Sequence, residues 1–283
     1  MRPPTKRQKP KDKLVVKQKV ITRRALLQNS AALTSVAVVM GCGTAHGQAA
    51  SGRLGSARDT AGVARLAAPA GGAIPVAFPI SKGAILIDFA GPWEVFLNAS
   101  MAGMGGSMDM SGNTGFQPYT VAEANDPIES YGGMKIVPNY TFGNAPPPKV
   151  IVIAAQSGDS DAMLNWIRAA SRHADLTMSI CVGAFTLAKT GLLSGKAATT
   201  HHSAYKELAQ RYPDIHVKRG YRFVDEGNIA SSGGLTCGVD LAFHVVERYR
   251  GRDAAVQTAL NMEYQGKGWL DASGADNAAF ARP

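Results

Sequence analysis

Leu176-Thr-Met-Ser-Ile-Cys-Val-Gly-Ala-Phe-Thr-Leu-Ala-Lys-Thr-Gly191 is the stretch from which the fold of this chain can be worked out. Its first half has the apolar character of a buried strand, and its second half has the spacing of a helix. The residues between the two halves, Gly183 and Ala184, are small, as a tight turn from strand to helix requires. The pattern predicts a sharp corner that presents the side chain of Cys181.

Cys181 is a candidate nucleophile because of its place at this corner. A thiol at the first turn of a helix faces unpaired backbone N–H groups and the positive end of the helix dipole, which favour the thiolate. The alternative is a structural role, since free cysteine is among the most buried residue types in proteins. The local pattern leaves both interpretations open.

The segments before the corner predict the fold class. The run Val150-Ile-Val-Ile-Ala-Ala155 is continuously aliphatic, which is typical of a central parallel strand buried on both faces. Apolar residues at helical spacing in 160–172 place a crossover helix between this strand and the Cys181 strand. The order predicts an α/β fold, doubly wound around a mostly parallel central sheet. Reactive groups gather at the carboxyl ends of the strands in such sheets, where Cys181 is expected.

The remaining elements follow from the same patterns of apolar and turn residues. Further strands are predicted at 74–78, 117–123, 134–137 and 197–201, a hairpin from 216–225 to 228–231, and helices from Pro92 onwards, at 204–211, after 236 and at 253–262. Ser203 is expected to cap the helix at 204–211.

Asp88 is the second candidate for chemistry. Pro92 suits the first position of a helix, which leaves Asp88 in the connection before that helix, among apolar residues. The carboxylate could cap a helix or lie in a loop. It could also be buried and share a proton with a substrate or a thiol.

The basic charge of the chain belongs to its leader. Residues 1–24 contain ten Lys or Arg and one Asp, which accounts for the whole formal charge of +9, and the rest of the chain is balanced. The Arg23-Arg24 pair precedes the weakly apolar run 31–41, which together predict a twin-arginine signal region over 1–49 and export to the periplasm. The alternative is a basic tail followed by an ordinary helix. A nucleic-acid partner is not expected, because the mature surface carries no basic excess.

Processing of the leader has two interpretations. Val39-Met-Gly-Cys42 approximates a lipoprotein cleavage box, whereas Gly47-Gln-Ala49 is an alternative cleavage site that yields a soluble protein. Attachment to a membrane is expected only if Cys42 is acylated. The apolar run itself is too short to span a bilayer.

Composition sets the domain boundaries. Residues 50–73 are predicted to be a flexible spacer, 74–265 one domain, and 266–283 a C-terminal tail.

The Met-rich segment 101–112 is interpreted as a surface insertion, with a Cu(I)-binding loop as the alternative. No cofactor or resident metal is expected. The odd count of three cysteines does not indicate a disulfide framework, although a Cys181–Cys237 bridge stays open.

Four sequence blocks, in this order along the chain, resemble the ThiJ/PfpI superfamily, which is class I glutamine amidotransferase-like. They are Asp88-Phe-Ala-Gly-Pro-Trp-Glu-Val-Phe96, Ser179-Ile-Cys-Val-Gly-Ala184, Thr190-Gly-Leu-Leu-Ser-Gly-Lys-Ala-Ala-Thr-Thr-His201 and Ser232-Gly-Gly-Leu-Thr-Cys-Gly-Val-Asp-Leu-Ala242. The branch that they resemble most contains isonitrile hydratases and the sensory domains of AraC-type regulators.

The resemblance implies a flavodoxin-like sandwich, usually a homodimer, with Cys181 as the nucleophile and Asp88 as the residue that handles its proton. His201 falls where relatives carry a histidine near the cysteine. The implied function is cysteine-dependent hydration or hydrolysis of a small molecule, such as an isonitrile, which yields an N-substituted formamide. The alternative is a non-catalytic protein of the same fold that binds a small molecule or senses redox state.

Two departures from the family pattern concern the site. Val182 replaces the Thr that follows the cysteine in the hydratases, which removes a hydroxyl group. Ala154-Ala-Gln-Ser157 replaces a Pro-Gly-Gly whose backbone amide helps to stabilise an anion. Loss of one such donor costs on the order of 100-fold in rate, unless Gln156, Ser157 or Gly158 restores it. The Cys-His neighbour pair of the amidotransferase and protease-like branches is also missing, which disfavours peptidase chemistry.

Overall fold

A computed structural model describes residues 64–102 and 115–271. The signal region with Cys42, most of the expected spacer, most of the Met-rich segment and the end of the tail lie outside the described residues, so the predictions for them stay predictions. Within the described part of the chain, no helix is both long and apolar enough to cross a membrane.

The described residues form a chain of alternating strands and helices. The strands are β1 (Ala73–Pro79), β2 (Gly115–Ala122), β3 (Ile128–Glu129), β4 (Lys135–Ile136), β5 (Tyr140–Thr141), β6 (Val150–Ile153), β7 (Leu176–Ile180), β8 (Ala197–Ala198), β9 (His216–Val217), β10 (Phe223–Asp225) and β11 (Ile229–Ser232). The helices are α1 (Leu86–Ala102), α2 (Asp161–Ser171), α3 (Gly183–Lys189), α4 (Tyr205–Arg211), α5 (Thr236–Arg250) and α6 (Arg252–Asn261), with one 3-10 turn (His202–Ala204) before α4.

The central sheet has seven strands in the order β10-β11-β7-β6-β1-β2-β5. All neighbours are parallel except β10, which runs antiparallel to β11. The register pairs Ser179 of β7 with Ile153 of β6 and with Ser231 of β11. These three strands therefore end side by side, and the chain segments that follow them meet at the edge of the sheet that is formed by the carboxyl ends of its parallel strands.

Helices cover both faces of the sheet. Alternate residues of β6 face opposite ways, so Val150 and Val152 pack in one apolar cluster with α1, α5 and α6, while Ile151 and Ile153 pack in a second cluster with α2, α3 and α4. This three-layer arrangement confirms the predicted α/β sandwich with a mostly parallel sheet. It also confirms that β6 is buried on both faces, as its continuous aliphatic run predicted.

The prediction for Pro92 was wrong. Pro92 lies inside α1, which begins at Leu86, and Asp88 lies in the first turn of that helix rather than in a connection before it. An interior proline costs about 3 kcal/mol of helix stability because it lacks an N–H group and crowds the preceding turn. The helix continues because its buried residues, including Val95 and Phe96, pack against the sheet.

The region around α4 also differs from the prediction. The strand expected at 197–201 contains only Ala197 and Ala198. His201, and not Ser203, is the capping residue here, and it precedes the 3-10 turn instead of α4. In the hairpin, only β10 pairs with β11, whereas β9 pairs with β8. Side-chain and tertiary contacts override the local patterns in this segment, where each strand has only two to four residues.

Gly183 is required by the close approach of α3 to the end of β6. A Cβ atom at this position would overlap with the carbonyl oxygen of Ile153 and would lie 2.9 Å from that of Ala154. Both oxygens belong to the backbone of a buried strand end and cannot move aside. Gly183 is thus needed for packing of the corner, as expected for a tight turn from strand to helix.

Gly183→Ala is expected to lower the free energy of unfolding by about 3 kcal/mol, because it overfills this contact. Chemical denaturation with urea measures the change. Gly71→Ala is the matched control, since a Cβ at Gly71 meets nothing within 4 Å, and its effect should stay within about 0.5 kcal/mol. Equal stabilities of the two variants would contradict the packing argument.

Candidate active site

Cys181 lies at the corner between β7 and α3. Its backbone is in the left-handed region, with φ at 58°, which is uncommon for a residue other than glycine. Its amide N–H donates to the carbonyl oxygen of Gly233 at 3.0 Å. A left-handed conformation of this kind costs about 1–3 kcal/mol and persists only where the surroundings hold it. The corner therefore presents the thiol at the edge of the sheet, although its side chain is largely buried.

Asp88 reaches the same edge from the first turn of α1. The residue is fully buried, and its Oδ2 accepts a hydrogen bond from the Ala155 amide at 3.2 Å. Within the described part of the chain, Oδ1 has no hydrogen-bond partner of normal geometry. Burial raises the pKa of this carboxyl group to about 6, while the amides of Ala155 and Leu235 and the Cys181 thiol lower it in part. The carboxyl group can thus lose or gain a proton near neutral pH.

The thiol of Cys181 holds its proton. Burial and then the negative charge of Asp88 raise its pKa to about 12, although the Val182 and Leu235 amides act in the opposite direction. The expectation that the helix start makes Cys181 a thiolate was therefore wrong, because desolvation of the charged form outweighs the backbone N–H groups. At neutral pH the site contains a protonated sulfur beside a mainly ionised carboxylate.

Leu235 is a site residue that the sequence did not single out. It is the N-cap residue of α5 and is also left-handed, with φ at 54°. Its backbone amide lowers the pKa of both Asp88 and Cys181. The Gly233-Gly234 pair just before it signals a tight connection after β11, but only the order of strands in the sheet places that connection beside Cys181.

The side chain of Gln156 and the amide and hydroxyl of Ser157 make hydrogen bonds with the end of β1 and the segment after it. Gln156 accepts from the Ser81 amide at 2.8 Å and donates to the Pro79 carbonyl at 3.3 Å. Both the amide and the hydroxyl of Ser157 donate to the Lys82 carbonyl, at 3.1 and 2.9 Å.

Gly158 lies against the same loop, since a Cβ there would be 3.2 Å from Ser81 Oγ. The chain after β6 turns towards residues 81–83 and hydrogen-bonds to the Ser81 amide and the Lys82 carbonyl. The Ser157 amide is therefore already used and does not serve an anion at Cys181.

His201 uses its Nδ1 atom for hydrogen bonds with Ser203 and not with the thiol. Its Nδ1 lies 2.8 Å from Ser203 Oγ and accepts from the Ser203 amide at 3.4 Å. Its ring lies over Gly234, where a Cβ would come within 3.1 Å of Nε2. Burial and the neighbouring His202 lower the pKa of the imidazole, which favours its neutral form. His201 thus packs on the connection that carries Leu235.

A cleft of about 250 Å³ opens beside the site, and Leu235 forms part of its wall. Its lining includes His201, His202, Tyr205, Tyr221, Arg222 and Cys237. Arg222 is paired with the carboxylate of Asp240, so its charge is offset. Val182 is 37% exposed at the corner and offers no hydroxyl group.

The described cysteines and acids do not form a disulfide or a metal cluster. Cys181 and Cys237 are both free thiols, so the bridge that the sequence left open is not formed. Among residues 64–102 and 115–271, no group of three His, Cys, Asp or Glu residues lies close enough to hold a metal ion. The chemistry available at this edge is proton exchange between a carboxylate and a nucleophilic thiol.

Comparison with known proteins identifies the family of this chain. The model of the DJ-1/PfpI family matches residues 75–248. Isonitrile hydratase from Pseudomonas putida is 29% identical over 214 residues, which cover 74% of this chain and 86% of that protein. The HTH-type transcriptional regulator GbdR of Pseudomonas aeruginosa is 22% identical over 160 residues, which cover 55% of this chain and 43% of the regulator.

Solved structures agree with the fold. A THiJ/PfpI family protein from Pseudomonas syringae superposes with a TM-score of 0.59 at 26% identity, covering 69% of this chain and 76% of that one. DJ-1beta from Drosophila melanogaster superposes with a TM-score of 0.57 at 16% identity, covering 69% of this chain and all of that one, which shows the shared fold. This chain belongs to the DJ-1/PfpI family.

Proposed function

We propose that this protein is a cysteine-dependent hydratase of small molecules, acting on isonitriles, with Cys181 as the nucleophile and Asp88 as the general acid and base. The observation that carries the proposal is the pairing of a protonated thiol with a buried carboxylate whose pKa is about 6. A base of that pKa is matched to proton transfer near neutral pH. The similarity to an isonitrile hydratase supports the choice of substrate.

The first half of the proposed reaction forms a covalent intermediate. Asp88 takes the S–H proton of Cys181 as the sulfur adds to the terminal carbon of the isonitrile. One π pair of the carbon–nitrogen triple bond moves to the nitrogen, the carbon keeps its lone pair, and Asp88 returns the proton to that carbon, which gives an S-linked thioimidate. This use of Asp88 removes the need for a thiolate in the resting protein.

The second half consumes one water molecule. Asp88 takes a proton from the water as its oxygen adds to the thioimidate carbon, and the nitrogen receives that proton. The C–S bond then breaks, the second water proton passes to the sulfur, and an N-substituted formamide leaves. Overall, one isonitrile and one water become one formamide, and both residues return to their starting states.

The surroundings favour a small neutral substrate. Leu235 and Val182 are apolar and exposed, and the cleft that Leu235 lines has its one arginine offset by Asp240. An uncharged substituent on the isonitrile nitrogen fits such walls better than an ion, because desolvating an unpaired charge is costly.

The direct test is turnover of a simple isonitrile. The purified protein is incubated with cyclohexyl isocyanide, and N-cyclohexylformamide is quantified by chromatography. We expect formamide production that disappears after Cys181 is alkylated. Failure to hydrate alkyl or aryl isocyanides, in protein whose fold is verified by circular dichroism, would contradict the proposed function.

Val182→Thr is expected to raise kcat for isonitrile hydration by about two- to tenfold. The new hydroxyl group would supply a hydrogen bond at the mouth of the site, and a neutral hydrogen bond is worth about 0.5–1.5 kcal/mol. Steady-state kinetics measure the change. Val182→Ile, which keeps a branched side chain without the hydroxyl, is the matched control and should show no gain. An equal response of both variants would show that the hydroxyl plays no part.

A second candidate function is binding of a small molecule without catalysis. The used amide of Ser157 favours it, because the site then lacks one donor for a developing anion. Redox sensing is disfavoured, since a thiol whose pKa is raised to about 12 is a poor target for oxidants. Stabilisation of the protein by isocyanides in thermal unfolding, without any formamide formed, would support this second function.

We also propose export and dimer formation. The twin-arginine leader supports export to the periplasm, either soluble or anchored through Cys42. Fractionation of cells expressing the full chain, with and without Arg23→Lys and Arg24→Lys, tests the route.

Exposed apolar side chains at Tyr131, Met134 and Val137 support a homodimer. Light scattering of the purified protein measures its mass, and a monomer at micromolar concentration would contradict the dimer.

A further inference from the structure

The carbonyl group of Cys181 has a partner that the proposed mechanism does not use. Thr200 Oγ1 donates to this carbonyl oxygen at 2.9 Å. Thr200 is fully buried and lies two residues beyond β8, in a different segment from β7 and β11. The left-handed corner is therefore held from two sides, by Gly233 on its amide and by Thr200 on its carbonyl.

We propose that Thr200 is a positioning residue for Cys181, whose hydroxyl group holds the corner so that the thiol stays against Asp88. The left-handed conformation is intrinsically unfavourable. Without the Thr200 hydroxyl, the buried Cys181 carbonyl keeps, among the described residues, only the long hydrogen bond from the Ala184 amide, at 3.4 Å, and loses a hydrogen bond worth about 0.5–1.5 kcal/mol. Without the hydroxyl group, both costs fall when the corner relaxes towards ordinary backbone angles. Such a relaxation moves the sulfur out of its buried contact with the carboxylate.

The segment that carries Thr200 is anchored independently of that hydroxyl. The backbone N–H of Thr199 donates to Ser231 Oγ at 2.8 Å, which ties the segment to β11. Thr199 is itself fully buried, but its own hydroxyl has no hydrogen-bond partner in the described part of the chain. Two adjacent threonines of equal burial thus differ in one respect, because only the hydroxyl of Thr200 reaches Cys181.

This difference supplies a matched experiment with Thr200→Val and Thr199→Val. Alkylation of Cys181 by iodoacetamide at pH 8 is followed by peptide mass spectrometry, and isocyanide hydration is measured in parallel. In Thr200→Val we expect alkylation to become about tenfold faster, which corresponds to a fall of one unit in the thiol pKa. Hydration should fall about tenfold in kcat with little change in KM, since chemistry and not binding is impaired. Thr199→Val and Thr200→Ser should behave like the wild type in both assays.

The opposite directions of the two readouts distinguish positioning from a general loss of structure. Global unfolding would speed alkylation of Cys237 as well, whereas a displaced corner speeds that of Cys181 alone. Thr200→Ala is a second variant that adds no methyl group in place of the hydroxyl. If Thr200→Val and Thr200→Ala match Thr199→Val in Cys181 alkylation, the proposal is overturned.

The kinetic arm rests on the proposed function, and the alkylation arm does not. If the wild type hydrates no isocyanide, the hydratase proposal fails, while the contrast in alkylation between the threonine variants still decides the role of Thr200. If the wild type is active and the variants show no contrast, Thr200 has no positioning role and the hydratase proposal stands.

Discussion

Cys181→Ala is expected to abolish the proposed isonitrile hydration, with a loss on the order of 10⁴-fold or more in kcat, because removal of a covalent nucleophile leaves no route to the thioimidate. The thermal unfolding temperature should change little, since the substitution removes a single sulfur atom from a side chain that is not fully buried. Formamide production under saturating substrate measures the loss.

Cys181→Ser is the matched variant for this result. Serine keeps the size and a hydrogen-bonding group at the corner, but its hydroxyl is a far weaker nucleophile at the same position. We expect it to be as inactive as the alanine variant. Turnover in either variant above about 1% of the wild type would exclude Cys181 as the nucleophile, because a missing nucleophile costs several orders of magnitude.

Asp88→Asn is expected to lower kcat by about 10²- to 10⁴-fold, the range of a general acid–base contribution. In the wild type, kcat/KM should fall as the pH drops below about 6, where the carboxylate takes up a proton. The amide side chain has no such titration, so the acidic limb of the profile should disappear in the variant. An acidic limb that persists unchanged in Asp88→Asn would assign it to another group.

The same substitution should make the protein more stable, which separates catalysis from folding. The folded-state pKa of Asp88 is raised from 3.8 to about 6, so its protonated form is favoured in the folded protein. Its favourable contribution is complete below pH 3.8 and is lost as the pH rises through about 6. Because an uncharged amide keeps that contribution, the free energy of unfolding of Asp88→Asn at pH 8 should be up to about 3 kcal/mol higher than that of the wild type.

Urea denaturation between pH 4 and pH 8 measures this difference, which should grow across the titration of Asp88. Asp214→Asn, at an exposed carboxylate, is the control and should show no such growth. A variant that is less stable than the wild type at pH 8 would show that the charge of Asp88 is better accommodated than its burial indicates. Residues that serve function often lower the stability of the folded protein, and a buried charge that supports catalysis is one example.

Much of the fold followed from local sequence. The aliphatic run of β6 and the small residues after Cys181 predicted a central strand and a strand-to-helix corner, and Ser160 caps α2 at the start of the expected helix. These features depend on side-chain burial, size and capping, which neighbouring residues largely determine. Where packing competed with local preference, as at Pro92, the prediction failed because burial of α1 outweighs the cost of an interior proline.

The candidate site was predictable only in part. Cys181 and Asp88 could be named from the sequence blocks, but the protonation of the pair could not, because desolvation depends on everything packed around the two groups. The role suggested for Ser157 required knowing where its amide points. Leu235 and Thr200 reach Cys181 from segments 54 and 19 residues away along the chain, and no local pattern encodes those contacts.

By itself, the sequence determined the alternation of strands and helices, the corner at Cys181 and the identity of the acid that accompanies it. These depend on periodicity, residue size and motif order, which can be read along one dimension. Only the tertiary structure decided that the thiol keeps its proton. It also decided that the Ser157 amide donates to the loop after β1 and that the Thr200 hydroxyl donates to the Cys181 carbonyl. Burial, charge and hydrogen bonding at that corner arise from β6, β7 and β11 ending side by side, and only the order of strands in the sheet brings them together.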